Sequence, residues 1–435
     1  MHFVRSKCSV FNKAHQYFLG LIKSSKSNME KMAETIEGSD EQALQHFLSK
    51  SRWSYRDVMN HVAKDASEVY QNTLADTCLI VDESAIEKKG DYSVGVSRQW
   101  NGRLGKIENS QVGVFTALSQ GNSTTLIDGE LFLPESWAKD KKRCEKAKIP
   151  EAKRKHRTKL EMALAQIRRS IDNGIRHEWV LADSLYGRDY HFAMTLEAWG
   201  ETFVLDIPEN YSIYEHAPSP GRKEHAARGR PGTRFYSDEK PIKVKDWLIK
   251  RNEKEWKLHV IRKGTKGKIT VKLLQKTIWV WDRKSETCFQ WHIICRKNLD
   301  GTDLKLSLSN ASPKTSARKL AYIQSQRHFV ERAFQDAKSE LGLAQYQARN
   351  WDAWHRHMSL VMMAMLFFVK KREYMRSEFP YITVSDLVLY FSVAIPDKRS
   401  DNEKVFEILQ ARNQKRERAH RLSYGDEPPS WGKFA

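Results

Sequence analysis

The sequence predicts an α/β fold: a mixed sheet flanked by helices, interrupted by a β-rich insertion and preceded by a helical N-terminal region. Three observations predict it. Between residues 73 and 206, short apolar runs of strand length alternate with helical stretches, the pattern of a sheet covered by helices. From 207 to 312 the chain switches to alternating, Trp-rich segments that suit antiparallel strands. Residues 1–72 and 313–372 have helical periodicity, and 373–435 read as a helical C-terminal region with a basic tail.

The elements follow in order. Ser39 before Asp40 and Glu41 marks a helix start, with Ala43, Leu44, Phe47 and Leu48 at helical spacing. Ser54 and Asp57 resemble a capping box that opens a second helix, with Val58, Val62 and Ala66 on one face. Two short helices across a tight turn suit a helix-turn-helix DNA reader, or equally any small bundle. Cys78 to Val81, Tyr92 to Val96 and Val112 to Leu118 read as strands, with Asn101-Gly102 and Gly105 as turns. A helix is expected over about 150–172, then a buried strand at Trp179 to Ala182. A helix from Tyr190 to Trp199 is stopped by Gly200, and Phe203 to Leu205 form a strand. Residues 217–238 read as a basic loop. The insertion's strands are Trp256 to Ile261, Ile269 to Leu274, Thr277 to Trp281, Cys288 to Cys295 and Leu304 to Leu308. One helix then runs from about Ser316 to Leu341, closed by Gly342, and another through His357 to Lys371.

Charge indicates the partner. With 74 Lys and Arg against 54 Asp and Glu the chain carries a formal +20, which calls for a polyanion such as nucleic acid. The excess is clustered. Lys139 to Arg169 holds thirteen basic and four acidic residues around Lys153-Arg154-Lys155, and Arg412 to Arg421 holds five basic residues and Glu417. A membrane surface fits less well, because neither run has an apolar face. The longest apolar run, Leu360 to Val369, is about half the length of a membrane span. No secretory signal pattern opens the sequence, and the five scattered cysteines lack CxxC spacing. A reduced, cytoplasmic, nucleoid-associated protein is the expectation.

With 54 acidic residues, composition cannot nominate a site, but position can. Asp82 ends Leu79-Ile80-Val81 and Asp183 ends Val180-Leu181-Ala182, so both carboxylates project from the ends of buried strands. An Asp in that place can also be a simple turn residue. On the helix after 316, Arg327, Glu331 and Lys338 fall within roughly 40° of one another. A carboxylate between two cations stays ionised and can ligate a metal, while the cations hold phosphates. An i,i+4 salt bridge on a solvated face is the competing reading, weakened by the apolar neighbours Phe329, Val330, Ala333 and Phe334.

These residues resemble the insertion-sequence DDE transposases, in the branch with a Tyr-x2-Arg-x3-Glu-x6-Lys (YREK) signature. Arg327, Glu331 and Lys338 match at that spacing, and Gln324 occupies the Tyr position. The first motif is similar around Asp82-Glu83-Ser84, Lys88-Lys89-Gly90, Arg98-Gln99 and Gly105-Lys106, the second around Ala182-Asp183-Ser184 and Tyr186-Gly187. Leu131 to Ala138 and Gly229-Arg230-Pro231 resemble connecting segments. The resemblance implies an RNase H-like catalytic core over 73–206 and 313–372, split by the insertion at 207–312, with a DNA-binding region at 1–72. It implies Asp82, Asp183 and Glu331 as catalytic residues holding two Mg²⁺, with Mn²⁺ able to substitute. Phosphate contacts are expected from Arg327, Lys338, Arg332, Arg98, Lys106, Lys153, Arg154 and Lys155. It further implies a homodimer on double-stranded DNA, acting on terminal inverted repeats and target DNA. Related enzymes pass through a DNA hairpin with a flipped base on an aromatic side chain. Trp279, Trp281 and Trp291 are candidates for that stacking, or they fill the β core.

Other chemistries find little support. His355 and His357 are two apart, so a helix points them to different faces, and they read as structural or phosphate-contacting residues. There is no GxxxxGK[ST] loop for a nucleotide cofactor and no GxSxG elbow. Two alternatives to a transposase stay open: another RNase H-like nuclease or recombinase, and a non-catalytic DNA-binding descendant. If the chain is an enzyme, the three carboxylates should converge.

Overall fold

The computed structural model describes residues 3–5, 8–71, 76–102, 104–222, 234–264 and 267–424. Gly229-Arg230-Pro231 lies outside the described residues. Ten strands form one sheet: β1 (Thr77–Glu87), β2 (Ser97–Asn101), β3 (Lys106–Gln120), β4 (Ser123–Leu131), β5 (Trp179–Ala182), β6 (Phe203–Asp206), β7 (Lys257–Gly264), β8 (Gly267–Val280), β9 (Phe289–Lys297) and β10 (Lys305–Ser309). Their order is β7-β8-β9-β10-β6-β5-β1-β3-β2, with β4 also paired to β3. Strands β1, β3 and β4 form an antiparallel meander, while β5 and β6 run parallel to β1. The middle of this sheet, β4-β3-β1-β5-β6, is therefore a mixed five-strand unit flanked by helices. The strands of 257–309 extend the same sheet, because β10 pairs antiparallel with β6.

Four N-terminal helices, α1 (Phe11–Lys23), α2 (Met29–Thr35), α3 (Glu41–Ser49) and α4 (Tyr55–Tyr70), share one hydrophobic cluster with the sheet. Asp40 caps α3 through the Ala43 N–H, and Ser54 caps α4 through the Asp57 N–H. Helix α4 buries Val58, Val62 and Ala66 and is pinned by charge as well. Its Arg56 reaches Asp128 on β4 at 2.6 Å, and Arg169 of α5 (Lys159–Asp172) reaches the other oxygen at 2.7 Å. Helix α6 (Tyr190–Ala198) connects β5 to β6. Helices α7 (Ala317–Gln326), α8 (His328–Ser339) and the largely buried α9 (Trp351–Met375) follow, then α10 (Val384–Ala394) and α11 (Asp401–Tyr424). Among the described residues no helix is long and apolar enough to cross a membrane.

Several elements differ from their sequence expectation. Tyr92 to Val96 is a turn, because Gly95 adopts φ +72°; pairing resumes at Ser97. The helix expected from about 150 begins at Lys159, where Thr158 and Glu161 form a capping box, after a short 3-10 turn at Glu151–Lys153. The two strands Ile269 to Leu274 and Thr277 to Trp281 are one long strand. The helix expected from 316 to 341 is two ladders meeting at Arg327, which keeps helical angles (φ −55°, ψ −34°). Gly342 closes it at φ +65°, in a place where a Cβ would lie 2.1 Å from that of Ser27.

Packing on one face sets the position of α8. Gly113 and Gly129 leave space that the Phe115 ring fills, since a Cβ on either would come within 2.6 Å of it. Phe334 of α8 docks edge-on against that ring at 5.4 Å. Phe115 is the cross-strand partner of Asp82, so both side chains share this face. Glu331, one helical turn before Phe334, is thereby brought to the part of β1 that carries Asp82.

Candidate active site

Three parallel strands carry an aspartate where their mutual pairing ends: β5 stops just before Asp183 and β6 at Asp206, whereas β1, expected to end at Asp82, continues to Glu87 because it stays paired with β3. Val81 is in register with Ala182, and Ala182 with Leu205, so Asp82, Asp183 and Asp206 form the next row across β1, β5 and β6. Neighbouring strands are about 4.8 Å apart, so the acids stand side by side. Gly187 permits this crowding: a Cβ there would sit 2.0 Å from the Asp206 carbonyl oxygen, so only glycine lets the turn after Asp183 close over β6.

Like charges in such a row oppose ionisation. Burial, then the nearby Asp183, pushes the Asp82 carboxyl up to about 8, against the pull of Arg327. Burial and the neighbouring Glu83 also raise Asp183, whose Oδ1 accepts the Leu185 N–H at 2.9 Å. Glu83 has its own partners, Lys159 at 3.0 Å and the Tyr186 hydroxyl at 3.1 Å. Glu331 behaves oppositely. It is half-exposed, and a hydrogen bond from His328, followed by the Arg327 charge, holds its carboxyl below the usual range.

Arg327 ties the acids together. Its Nε donates to Asp206 Oδ2 at 2.8 Å, Nη2 to Glu331 Oε1 at 3.2 Å and Nη1 to Asp82 Oδ2 at 3.5 Å. Asp82 and Asp183 are adjacent on the sheet, and the guanidinium links Glu331 to Asp82 and Asp206. With Arg327 between them, no three His, Cys, Asp or Glu side chains among the described residues form a ready-made metal-binding group. The donor chemistry nonetheless fits a hard divalent cation: Asp82, Asp206 and Glu331 share one guanidinium, and Asp183 stands beside Asp82 in the next strand. Asp206 was missed in the sequence, although Phe203-Val204-Leu205 before it repeats the pattern that singled out the other two.

The expected phosphate contacts divide into groups. Lys338 lies against the site, donating to the Ala85 carbonyl at 3.1 Å. Arg332 is exposed and paired with Asp336 at 3.3 Å. Arg98 and Lys106 are exposed on the β2–β3 hairpin, with Lys106 near Glu108 at 3.1 Å. Lys153 is bound to the buried Glu130 at 2.8 Å, Arg154 contacts the Ile149 carbonyl at 3.0 Å, and Lys155 is exposed. Of the stacking candidates, Trp291 is buried against Phe203, and Trp281 is buried with its Nε1 donating to the Ser285 carbonyl at 2.7 Å. Trp291 belongs to the main core, Trp281 forms a small separate cluster with Tyr214 and Phe235, and Trp279 is partly buried against that cluster. His355 and His357 are structural. Both are fully buried, His355 bonded to the Trp351 carbonyl and His357 to the Tyr17 hydroxyl and the Gly342 carbonyl.

A β4-β3-β1-β5-β6 sheet with this mix of antiparallel and parallel pairing, flanked by helices and with acids in a row across its central strands, is that of an RNase H-like fold. The model of the DDE superfamily endonucleases matches residues 11–268, more than half of the sequence, and the chain belongs to that family. The match includes Asp82 and Asp183 and stops short of Glu331. A curated relative, described as a probable transposase for insertion sequence element IS701 of Microchaete diplosiphon, is 27% identical over 189 residues. The alignment covers 43% of this chain and 46% of that relative, so the chain spans less than half of its length.

Proposed function

We propose that this chain is an insertion-sequence transposase that cleaves transposon ends and joins them to target DNA, with Asp82, Asp183 and Glu331 as the catalytic carboxylates. The observation that carries the reading is the Arg327 guanidinium, which bonds a helix acid, Glu331, and two acids on adjacent parts of the sheet, Asp82 and Asp206, at once. A non-catalytic DNA-binding protein has no use for acids gathered where phosphates dock. Family membership and the IS701 relative support the same reading. The Arg327, Glu331 and Lys338 spacing supports placing it in the YREK branch.

In this reading Asp82, Asp183 and Glu331 hold Mg²⁺, or Mn²⁺ in its place. Bound divalent ions would supply an activated water or 3′-hydroxyl and a stabilised leaving oxygen. The chain's own residues do the rest. Asp82 and Asp183 are fixed by their strands, and Asp183 additionally by the Leu185 N–H. Arg327 and Lys338 offset phosphate charge beside them, and exposed Arg332 extends the basic edge. Hydrolysis at the transposon end and joining to target use one site, because only the nucleophile changes. Segments 73–206 and 313–372 form the catalytic core, 207–312 the insertion and 1–72 with the tail of 373–435 the DNA contacts. Two copies pair two ends on DNA inside the cell.

The test uses the purified chain, terminal inverted-repeat DNA and Mg²⁺. Joined product is expected from wild type. Asp183→Asn and Glu331→Gln should each lose cleavage by about a thousandfold or more while binding ends normally. Nicking without joining would point to another nuclease instead, and variants that cleave normally would remove these acids from the site.

A further inference from the structure

Gln324, at the position where the signature has Tyr, turns inward. It is buried on α7, and its Nε2 donates to Ser307 Oγ at 2.8 Å. Ser307, fully buried on β10, donates in turn to Asp206 Oδ1 at 2.6 Å. The other oxygen of Asp206 receives Arg327 Nε at 2.8 Å. The chain of bonds has one direction only. The Gln324 amide gives a proton to the Ser307 oxygen, the single hydroxyl proton goes to Asp206, and an ionised Asp206 can only accept. Geometry closes the circuit, since Ser307 and Asp206 are cross-strand partners and Gln324 lies one helical turn before Arg327. Asp206 thus has both oxygens fixed, one from the fold and one by the guanidinium.

We propose that Gln324, Ser307 and Asp206 are positioning residues for Arg327, forming a relay that anchors its guanidinium on Asp206 so that Asp82 and Glu331 can exchange it for a divalent cation. This rests on the reading that Asp82, Asp183 and Glu331 hold metal. The distances rank the bonds: the Asp206 contact is 2.8 Å, while those to Glu331 and Asp82 are 3.2 and 3.5 Å. The looser pair breaks first. Asp206 then does two things for Arg327. It keeps the guanidinium beside the site for phosphate, and it cancels the positive charge that would otherwise oppose an incoming cation.

Mn²⁺ binding to the metal-free full chain, read by electron paramagnetic resonance without DNA, tests this apart from activity. Asp206→Asn should weaken Mn²⁺ binding about tenfold, and Ser307→Ala or Gln324→Ala about threefold, whereas Ser307→Thr, which keeps the hydroxyl, should bind as wild type. In an Arg327→Ala background, Asp206→Asn should add less than about twofold, because the residue it acts through is gone. An equal loss in both backgrounds overturns the relay and makes Asp206 a ligand itself. Wild-type affinity in all three relay variants also overturns it, with the metal site intact. Wild-type chain that binds no Mn²⁺ overturns the metal reading together with the relay. Unfolding midpoints of the variants, with Ser307→Thr as the reference, separate lost anchoring from lost fold.

Discussion

Asp82→Asn should make the metal-free protein more stable at neutral pH while disabling it as an enzyme. The Asp82 carboxyl is raised from its ordinary 3.8 to about 8, chiefly by burial and then by Asp183. The sign follows from the two states. In the unfolded chain the group ionises near 3.8, but in the folded protein it keeps its proton until about 8. The folded form binds the extra proton, so stability falls as pH rises through this window and levels off above it. Each unit is worth about 1.4 kcal/mol, which gives a gross penalty of about 4 kcal/mol at pH 7. Asparagine cannot ionise and escapes that penalty, though it loses the 3.5 Å ion pair with Arg327. A net gain of about 2–4 kcal/mol at pH 7, vanishing near pH 4, is expected. Urea unfolding of both proteins in EDTA, at several pH values, measures it. Comparing the two at each pH cancels the titrating groups that do not interact with Asp82, and leaves Asp82 together with its neighbour Asp183. A difference that does not change with pH, or a variant less stable at pH 7, refutes the reasoning.

Three other outcomes follow from the same structure. Asp128→Ala leaves the partly buried Arg56 and Arg169 without their shared anion and should cost about 2–4 kcal/mol in urea unfolding; a loss below about 1 kcal/mol would mean that α4 and α5 are not pinned to β4 by charge. Burial holds His355 and His357 neutral, each pushed down to about 4 from 6.5, so the stability of the wild type should decline as pH falls from about 6.5 toward 4. Replacing His357 by Gln should flatten that decline in the same unfolding assay, and an unchanged slope would contradict it. Trp291→Ala empties core space and should cost about 3–5 kcal/mol, whereas Trp279→Ala should spare stability and impair DNA hairpin formation with end binding intact. Equal loss of hairpin formation and end binding in the Trp279 variant would remove it from that role.

Strands β1, β5 and β6, and the acids Asp82 and Asp183, are legible because burial on both faces forces an apolar run, while Asp206 after the third run is singled out only by the fold. Leu79 to Val81, Val180 to Ala182 and Phe203 to Leu205 each stand out, and each is followed by aspartate. Helix α8 was legible through its period. What the sequence hid depends on contacts distant in the chain. The strands of 257–309 look like a separate antiparallel block, and only the pairing of Ser307 to Ser309 with Val204 to Asp206 joins them to the central sheet. Gly95 and the Thr158 cap moved element boundaries by local conformational chemistry that apolar periodicity does not register.

The same distinction applies to Arg327. Along the helix its visible partner is Glu331, four residues away, which is an ordinary surface pair worth a fraction of a kcal/mol. In the fold the guanidinium is mostly buried and meets Asp206 and Asp82, 121 and 245 residues distant in sequence. Burial first, and then the closeness of other acids, opposes ionisation in this row, as the raised carboxyls of Asp82 and Asp183 show. A protein selected for stability alone would remove such a row, since hydrophobic residues of similar size cost less. Keeping it, with one arginine held to neutralise only part of the charge, makes sense for a site whose remaining charge is left for cations that arrive with the substrate.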